Sequence, residues 1–344
     1  MSRAEVTVLG AGVFGLSVAW ACVQRGAKVR VIDPNGVAAG SSGGVVGALA
    51  PHTPERWEDK KQFQLESLLM AADFWRVVEE ASGLTTGYAR LGRVQPILND
   101  AGLALARLRT EDAKSLWNGA AEWRVEAVSG DWCPASPTGQ VVFDTLSARL
   151  HPRQSCLALA GAIEARGGEI VRAGAQEGAV VHATGVDGLA AMTAQHTREV
   201  GNGVKGQAAL LEYDASGLPQ LFFDGVHVVP HSDGTVAIGS TSERYFDAPA
   251  STDALLDDVH ARAVAGVPLL GGAKIVARWA GVRPRSRTRA PMMGKHPFED
   301  GTFVVNGGFK IGFGMAPKIG QVMADLVLDG VDNIPADFQA NTCL

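Results

Sequence analysis

Val6-Thr7-Val8-Leu9 runs straight into Gly10-Ala11-Gly12-Val13-Phe14-Gly15, and few folds accommodate that junction. The first four residues form an apolar strand. The glycines follow as Gly-x-Gly-x-x-Gly, and small apolar residues continue with helical character over residues 11–24. Val29-Arg30-Val31-Ile32 then reads as a second strand, tipped by Asp33. Strand, glycine turn, helix and acid-ended strand make the unit that holds the ADP half of a dinucleotide. Gly10 permits the tight turn, Gly12 lets the backbone approach a pyrophosphate, and Gly15 lets helix and strand pack closely. Val13 and Phe14 begin the helix, where unpaired N–H groups face an anion. Asp33, followed by Pro34, is placed for the ribose hydroxyls. An acid there disfavours a 2′-phosphate and argues against NADP.

The 344 residues suffice for one large domain or two intimate ones. A net charge of −5 gives no reason to expect a nucleic-acid partner. The apolar stretches are broken by charge or glycine, so no transmembrane segment is expected. Too few residues precede the first strand for a signal peptide. The four cysteines form no Cys-x-x-Cys pair, so a reduced, cytoplasmic protein is the expectation. The eight histidines and four cysteines show no ligand spacing, and no metal is expected.

Residues 38–48 are nearly all small. Ser41, Ser42, Gly43, Gly44 and Val45 follow the ribose acid and can wrap a long cofactor with backbone N–H and hydroxyl groups. Helical periodicity covers residues 55–81, 101–116, 152–166, 252–264 and 315–328. Pro317 in the last of these suits a first turn. Residues 117–137 read as irregular. An apolar strand over residues 178–182 ends in Ala183-Thr184-Gly185, a second place for backbone contact with a cofactor. Residues 220–230 and 235–240 read as a hairpin turning at His231-Ser232-Asp233-Gly234. The pattern predicts an α/β protein. A Rossmann-like domain would be assembled from residues 1–85, 139–209 and 278–334. Residues 86–138 and 210–277 would form a substrate domain with a mostly antiparallel sheet, and residues 335–344 a C-terminal tail.

No Ser-His-Asp or Cys-His arrangement is evident. Five arginines fall within residues 278–289. Arg283, between Val282 and Pro284 at the end of an apolar strand, suits a carboxylate through two parallel hydrogen bonds. Gly307, Gly308, Phe309, Lys310, Ile311 and Gly312 occupy a strand-to-helix junction, where close backbone access meets a positive helix end. Lys310 can contact a redox ring or a carboxylate. His52 and Tyr245 are further candidate pocket residues.

These blocks resemble the flavoenzymes of the glycine oxidase, sarcosine oxidase and D-amino-acid oxidase family. The matching features are Gly10-x-Gly12-x-x-Gly15, Asp33, Ser41-Ser42-Gly43-Gly44 and Ala183-Thr184-Gly185. With them go Ile238-Gly239-Ser240-Thr241-Ser242-Glu243, Trp279-Ala280-Gly281-Val282-Arg283-Pro284, and Gly308-Phe309-Lys310-Ile311-Gly312 with Ala316-Pro317. The resemblance implies FAD with its ring between the two domains, near Gly281 and residues 307–312. It also implies oxidation of a C–N bond next to a carboxylate gripped by Arg283. Lys310 stands where the family often has a second carboxylate-binding arginine. Gly308 stands where it often has a histidine, and no cysteine lies near Arg289-Ala290-Pro291-Met292. Non-covalent FAD is therefore expected.

The expected reaction is oxidative deamination or demethylation of a small amino acid by hydride transfer to flavin. Oxygen or another acceptor would then take the electrons. Two rivals are a flavin-dependent 2-hydroxy-acid dehydrogenase and a nonenzymatic flavoprotein subunit. Oligomeric state is not legible.

Overall fold

A computed structural model describes residues 3–344 of the chain. Six strands form one sheet, in the order Met292–Lys295, Thr302–Asn306, Ala179–His182, Val6–Leu9, Val29–Ile32, Glu169–Val171. All neighbours are parallel except the outermost pair, Met292–Lys295 with Thr302–Asn306. Buried Val6, Val8, Val29, Val31 and Val181 make the central strands apolar, as a covered parallel sheet requires. The helix Val13–Gln24 buries ten of its twelve residues, so it is an interior helix with no solvent face. It packs on Gly312–Ala324 and Pro152–Ala165, and Asp59–Ser82 packs on both of these in turn; Trp20 and Trp75 are fully enclosed.

Eight strands form the second sheet, in the order Ile275–Ser286, Gly201–Glu212, Thr235–Gly239, Val226–Pro230, Gln220–Phe223, Arg93–Pro96, Gln140–Asp144, Trp123–Ala127. Every pair is antiparallel except Gln220–Phe223 with Arg93–Pro96. The helix Ala254–Gly266 covers one face of this sheet and buries Leu256, Val259 and Ala263. The architecture is thus the expected α/β pairing of a Rossmann-like sheet with a mostly antiparallel one.

Four details differ from the sequence reading. Residues 220–230 are two strands, because Asp224 and Gly225 both take positive φ, 45° and 71°. That is the geometry of a two-residue hairpin turn, for which Asp-Gly is a strong signal. The region 117–137 contains an edge strand, Trp123–Ala127. Pro317 is the sixth residue of its helix, which starts at Gly312. The Phe313 carbonyl there lacks its usual N–H partner, and the adjacent Lys318 N–H turns to Ser67 Oγ at 3.3 Å. Finally, Gln140–Asp144, at the start of the 139–209 segment, pairs within the eight-stranded sheet, as does the whole of the strand Gly201–Glu212. Residues 335–344 are docked, with Phe338 and Cys343 buried and the Phe338 ring 5.1 Å from Phe63. All four cysteines are free thiols, and no helix among the described residues is long and apolar enough to cross a membrane.

Candidate active site

A cavity of about 1420 Å³ lies between the two sheets. One end is built from backbone. Gly10, at φ +109°, starts the turn; a Cβ there would lie 2.4 Å from the Ala183 carbonyl oxygen. Gly15 lies under the turn rather than in the cavity, and its own Cβ would sit 2.1 Å from the Gly10 oxygen. It serves close packing, as expected. Gly12, Val13 and Phe14 line the cavity. Asp33 lines it too, and its carboxylate does local work: Oδ2 accepts the Ala11 N–H at 2.8 Å and Oδ1 the Asn35 N–H at 2.9 Å. The acid therefore fixes the glycine turn while leaving oxygen lone pairs for a ribose.

Four helices begin at this cavity: Val13–Gln24, Pro152–Ala165, Gly185–Ala194 and Gly312–Ala324. His151 caps the second, and the other three have no side-chain cap on the N-cap residue. Gly12, Thr184, Gly185 and Gly312 at these starts all line the cavity. Three positive dipole ends without an N-cap side chain converge on it, which suits an anionic ligand, although one N–H of the first helix is already taken by Ser42. Ser42 Oγ reaches across to accept the Val13 N–H at 3.0 Å, tying the small-residue run to the first helix. Ser41, Ser42, Gly44 and Val45 line the cavity with Pro34, whereas Gly43 packs beneath on Ala38. The run is further held by His231, whose Nε2 hydrogen-bonds the Val45 carbonyl at 2.9 Å. Burial, with His151 close by, lowers the His231 imidazole to about 4, so the ring is neutral and donates through Nε2.

The other end is built from side chains. Arg283 stands on the long strand Ile275–Ser286, paired with Val204. Its Nη2 donates to Ser240 Oγ at 2.7 Å and its Nη1 to the Thr241 carbonyl at 3.3 Å. Burial lowers it to about 10, opposed by Glu243 at longer range, so it stays protonated near neutrality. Gly206 makes the space: a Cβ there would lie 2.0 Å from both terminal guanidinium nitrogens. The 240–243 loop is itself anchored. Lys205 Nζ lies 3.4 Å from Glu243 and 3.5 Å from Asp253, and Gln207 Nε2 donates to both acids. Arg283 has five N–H donors, and its two protein contacts leave others for a carboxylate in the cavity.

Gly281, Gly308, Phe309 and Lys310 also line the cavity, while Gly307 and Ile311 do not. Gly307 packs against Ser286 and Ile311 against the core. The Lys310 ammonium lies 5.7 Å from the Phe309 ring centroid, and desolvation followed by Arg283 repulsion lowers its pKa. Tyr245 borders the cavity from an exposed loop. His52 does not line the cavity; its backbone N–H and Nδ1 both engage Gln64 Oε1, so it braces a loop onto the helix Asp59–Ser82. Two roles escaped the sequence reading. Ser240, legible only as part of the 238–243 block, holds Arg283. His227 faces the cavity from the strand Val226–Pro230, with Nδ1 buried and unpartnered. Burial, then Arg93, Lys310 and Arg283, lower His227 to about 3. Strand alternation placed it on the same face as buried neighbours, with no motif to mark it.

Comparison with known proteins agrees with this geometry. Residues 5–326 match the family described as FAD dependent oxidoreductase. The chain is 23% identical to the glycine oxidase of Geobacillus kaustophilus over 370 residues, covering 94% of this chain and 93% of that one. It is 36% identical to the glycine oxidase of Pseudomonas putida over 139 residues, 39% of this chain and 38% of that one. The crystal structure of glycine oxidase from Geobacillus kaustophilus superposes with a TM-score of 0.84 at 21% identity, over 99% of each chain. A family match over nearly the whole length, and a cavity with a dinucleotide turn at one end and a buried arginine at the other, lead to one assignment: the chain belongs to the FAD-dependent oxidoreductase family that includes the glycine oxidases, and it is an oxidoreductase of amino-acid-like substrates.

Proposed function

We propose that this protein holds FAD non-covalently along the cavity and oxidises the C–N bond of a small amine bearing a carboxylate, of the glycine, sarcosine or D-amino-acid type. The observation that carries the reading is Arg283, a buried guanidinium anchored by Ser240 and Thr241, with N–H groups to spare in the cavity. The backbone end fits FAD: the Gly10–Gly12 turn, the uncapped helix starts and Ser41–Ser42 would hold its phosphates, and Asp33 its ribose. We assign the six-stranded sheet and its helices to the cofactor and the eight-stranded sheet to the substrate. Four free thiols accord with a cytoplasmic location.

When bound, FAD supplies the two-electron acceptor. The protein supplies position. Arg283 takes the carboxylate through parallel N–H donors, which fixes the substrate's orientation. Lys310 adds a second positive charge at the same end. His227, uncharged near neutrality, adds no further cation beside Arg283. The substrate amine then reacts as the free base, and water hydrolyses the imino acid to an oxo acid and an amine or ammonia.

The test is anaerobic mixing of the FAD-loaded protein with glycine, sarcosine, D-alanine and lactate. Bleaching of the flavin by one or more amines is expected. Bleaching by lactate alone would move the substrate to the 2-hydroxy acids, and no bleaching by the panel would overturn the glycine, sarcosine or D-amino-acid reading. Reoxidation by air with peroxide release, against reoxidation by a dye only, distinguishes oxygen from another acceptor. Denaturation should release intact FAD; flavin retained on the chain would overturn non-covalent binding.

A further inference from the structure

Two histidines and a glutamate meet beside the cofactor sheet, away from Arg283. His182 ends the strand Ala179–His182, His296 follows Met292–Lys295, and Glu299 lies in the turn before Thr302–Asn306. The fold brings them together because His182 pairs with Val304 on the intervening strand, while the His296 N–H bonds the Thr302 carbonyl. His182 Nε2 lies 3.3 Å from one Glu299 oxygen and His296 Nε2 3.9 Å from the other. The two rings are 4.9 Å apart, and one ligand atom from each of the three residues lies within 4.8 Å of the others. A small cavity of about 50 Å³ opens between them.

An ion pair alone serves this group poorly. One carboxylate faces two imidazoles, and protonating both rings would place two cations side by side. His182 Nε2 is buried and makes no directed hydrogen bond. A metal cation would meet the His182 nitrogen and the carboxylate at once, and the His296 Nε2 lone pair once that ring's proton moves to Nδ1. We propose that His182, His296 and Glu299 bind one divalent transition-metal ion of the zinc class, with water completing the shell. Tetrahedral bonds of about 2.0–2.1 Å space the ligand atoms by roughly 3.3 Å. The His182–Glu299 gap already has that length. Glu299, on an exposed turn, is free to close its 3.9 Å gap to His296, and the two histidine nitrogens, within 4.8 Å, must draw together by a side-chain adjustment of His296. Ligation through His296 Nε2 moves the ring proton to Nδ1, so the 3.3 Å contact from the Phe298 N–H gives way. The ion would clamp the 296–302 turn onto the strand that leads to Thr184. It lies outside the redox cavity, although Thr184 and Asn306 border both spaces.

Calorimetric titration of Zn²⁺ into untagged, FAD-loaded, EDTA-treated protein tests this. One Zn²⁺ per chain is expected, with a thermal midpoint that rises on binding. Glu299→Gln and His182→Asn should each weaken binding at least about tenfold, and the double variant should abolish both binding and the thermal shift. Each variant should keep its FAD and the wild-type midpoint in EDTA, which separates ligand loss from misfolding. Addition of Co²⁺ should give the visible absorption of a tetrahedral site. No saturable uptake by wild type, or equal uptake by wild type and the double variant, would overturn the site.

Discussion

The two ends of the main cavity are made of different materials. At the Asp33 end, main-chain groups face the ligand: a glycine turn, helix starts without side-chain caps, and a run of small residues. At the Arg283 end, side chains do so, each held by others. A backbone cradle recognises what all dinucleotides share, phosphate and ribose. A side-chain socket recognises a particular small molecule, and its parts can be exchanged without disturbing the cradle.

The sharpest test of that division is Arg283→Ala. It should leave FAD bound while kcat/KM for the best amine falls by the equivalent of about 2–5 kcal/mol, as for a lost buried charge pair. Arg283→Lys should recover little, because an ammonium lacks the planar fork. Loss of FAD from either variant would show that the two ends are not separable.

Acid should attack the cradle through His231. Its folded pKa, about 4, lies below the unfolded value near 6.5, so the unfolded chain binds more protons between these values. Its contribution is complete above pH 6.5 and declines as pH falls toward 4, by about 2 kcal/mol at pH 5. Urea midpoints at pH 8 and pH 5 should differ less in His231→Gln than in wild type. Equal differences would remove His231 from the account.

Asp33→Asn keeps the size but weakens the acceptors for Ala11, Asn35 and the ribose. FAD affinity should drop by the equivalent of about 1.5–3 kcal/mol, the worth of a charged hydrogen bond, with kcat unchanged at saturating FAD. An unchanged FAD dissociation constant would leave Asp33 a purely structural role.

The smallest effect is expected from Gly206→Ala. The new methyl group would meet the Arg283 guanidinium, which can shift only by loosening its hydrogen bonds to Ser240 and Thr241. FAD content should hold and stability fall modestly, while kcat/KM should fall roughly tenfold, about 1.4 kcal/mol, as the fork tilts from its carboxylate. A variant with unaltered kcat/KM would show that the socket tolerates a moved fork.

The contrast also explains what could be read before any coordinates. Gly10, Gly12, Gly15 and Asp33 act within one βα unit, so their spacing carries their geometry. Arg283 was singled out by its setting between Val282 and Pro284. Its support was hidden, because Gly206 and Ser240 reach it only through the pairing of distant strands. His52 illustrates the opposite error: a polar residue near the right loop, turned instead to Gln64. The His182–His296–Glu299 group had no ligand spacing to find, because the intervening strand supplies the closeness.

The bare helix starts have a consequence for the life of the protein. Without the nucleotide, the N–H groups there that Ser42 does not reach must make do with water, so cofactor binding adds to the free energy that keeps the chain folded. Flavin is then a ligand of the folded state as well as a reagent. Chain that lacks flavin is therefore expected to open more often and to meet proteases more often than the loaded protein.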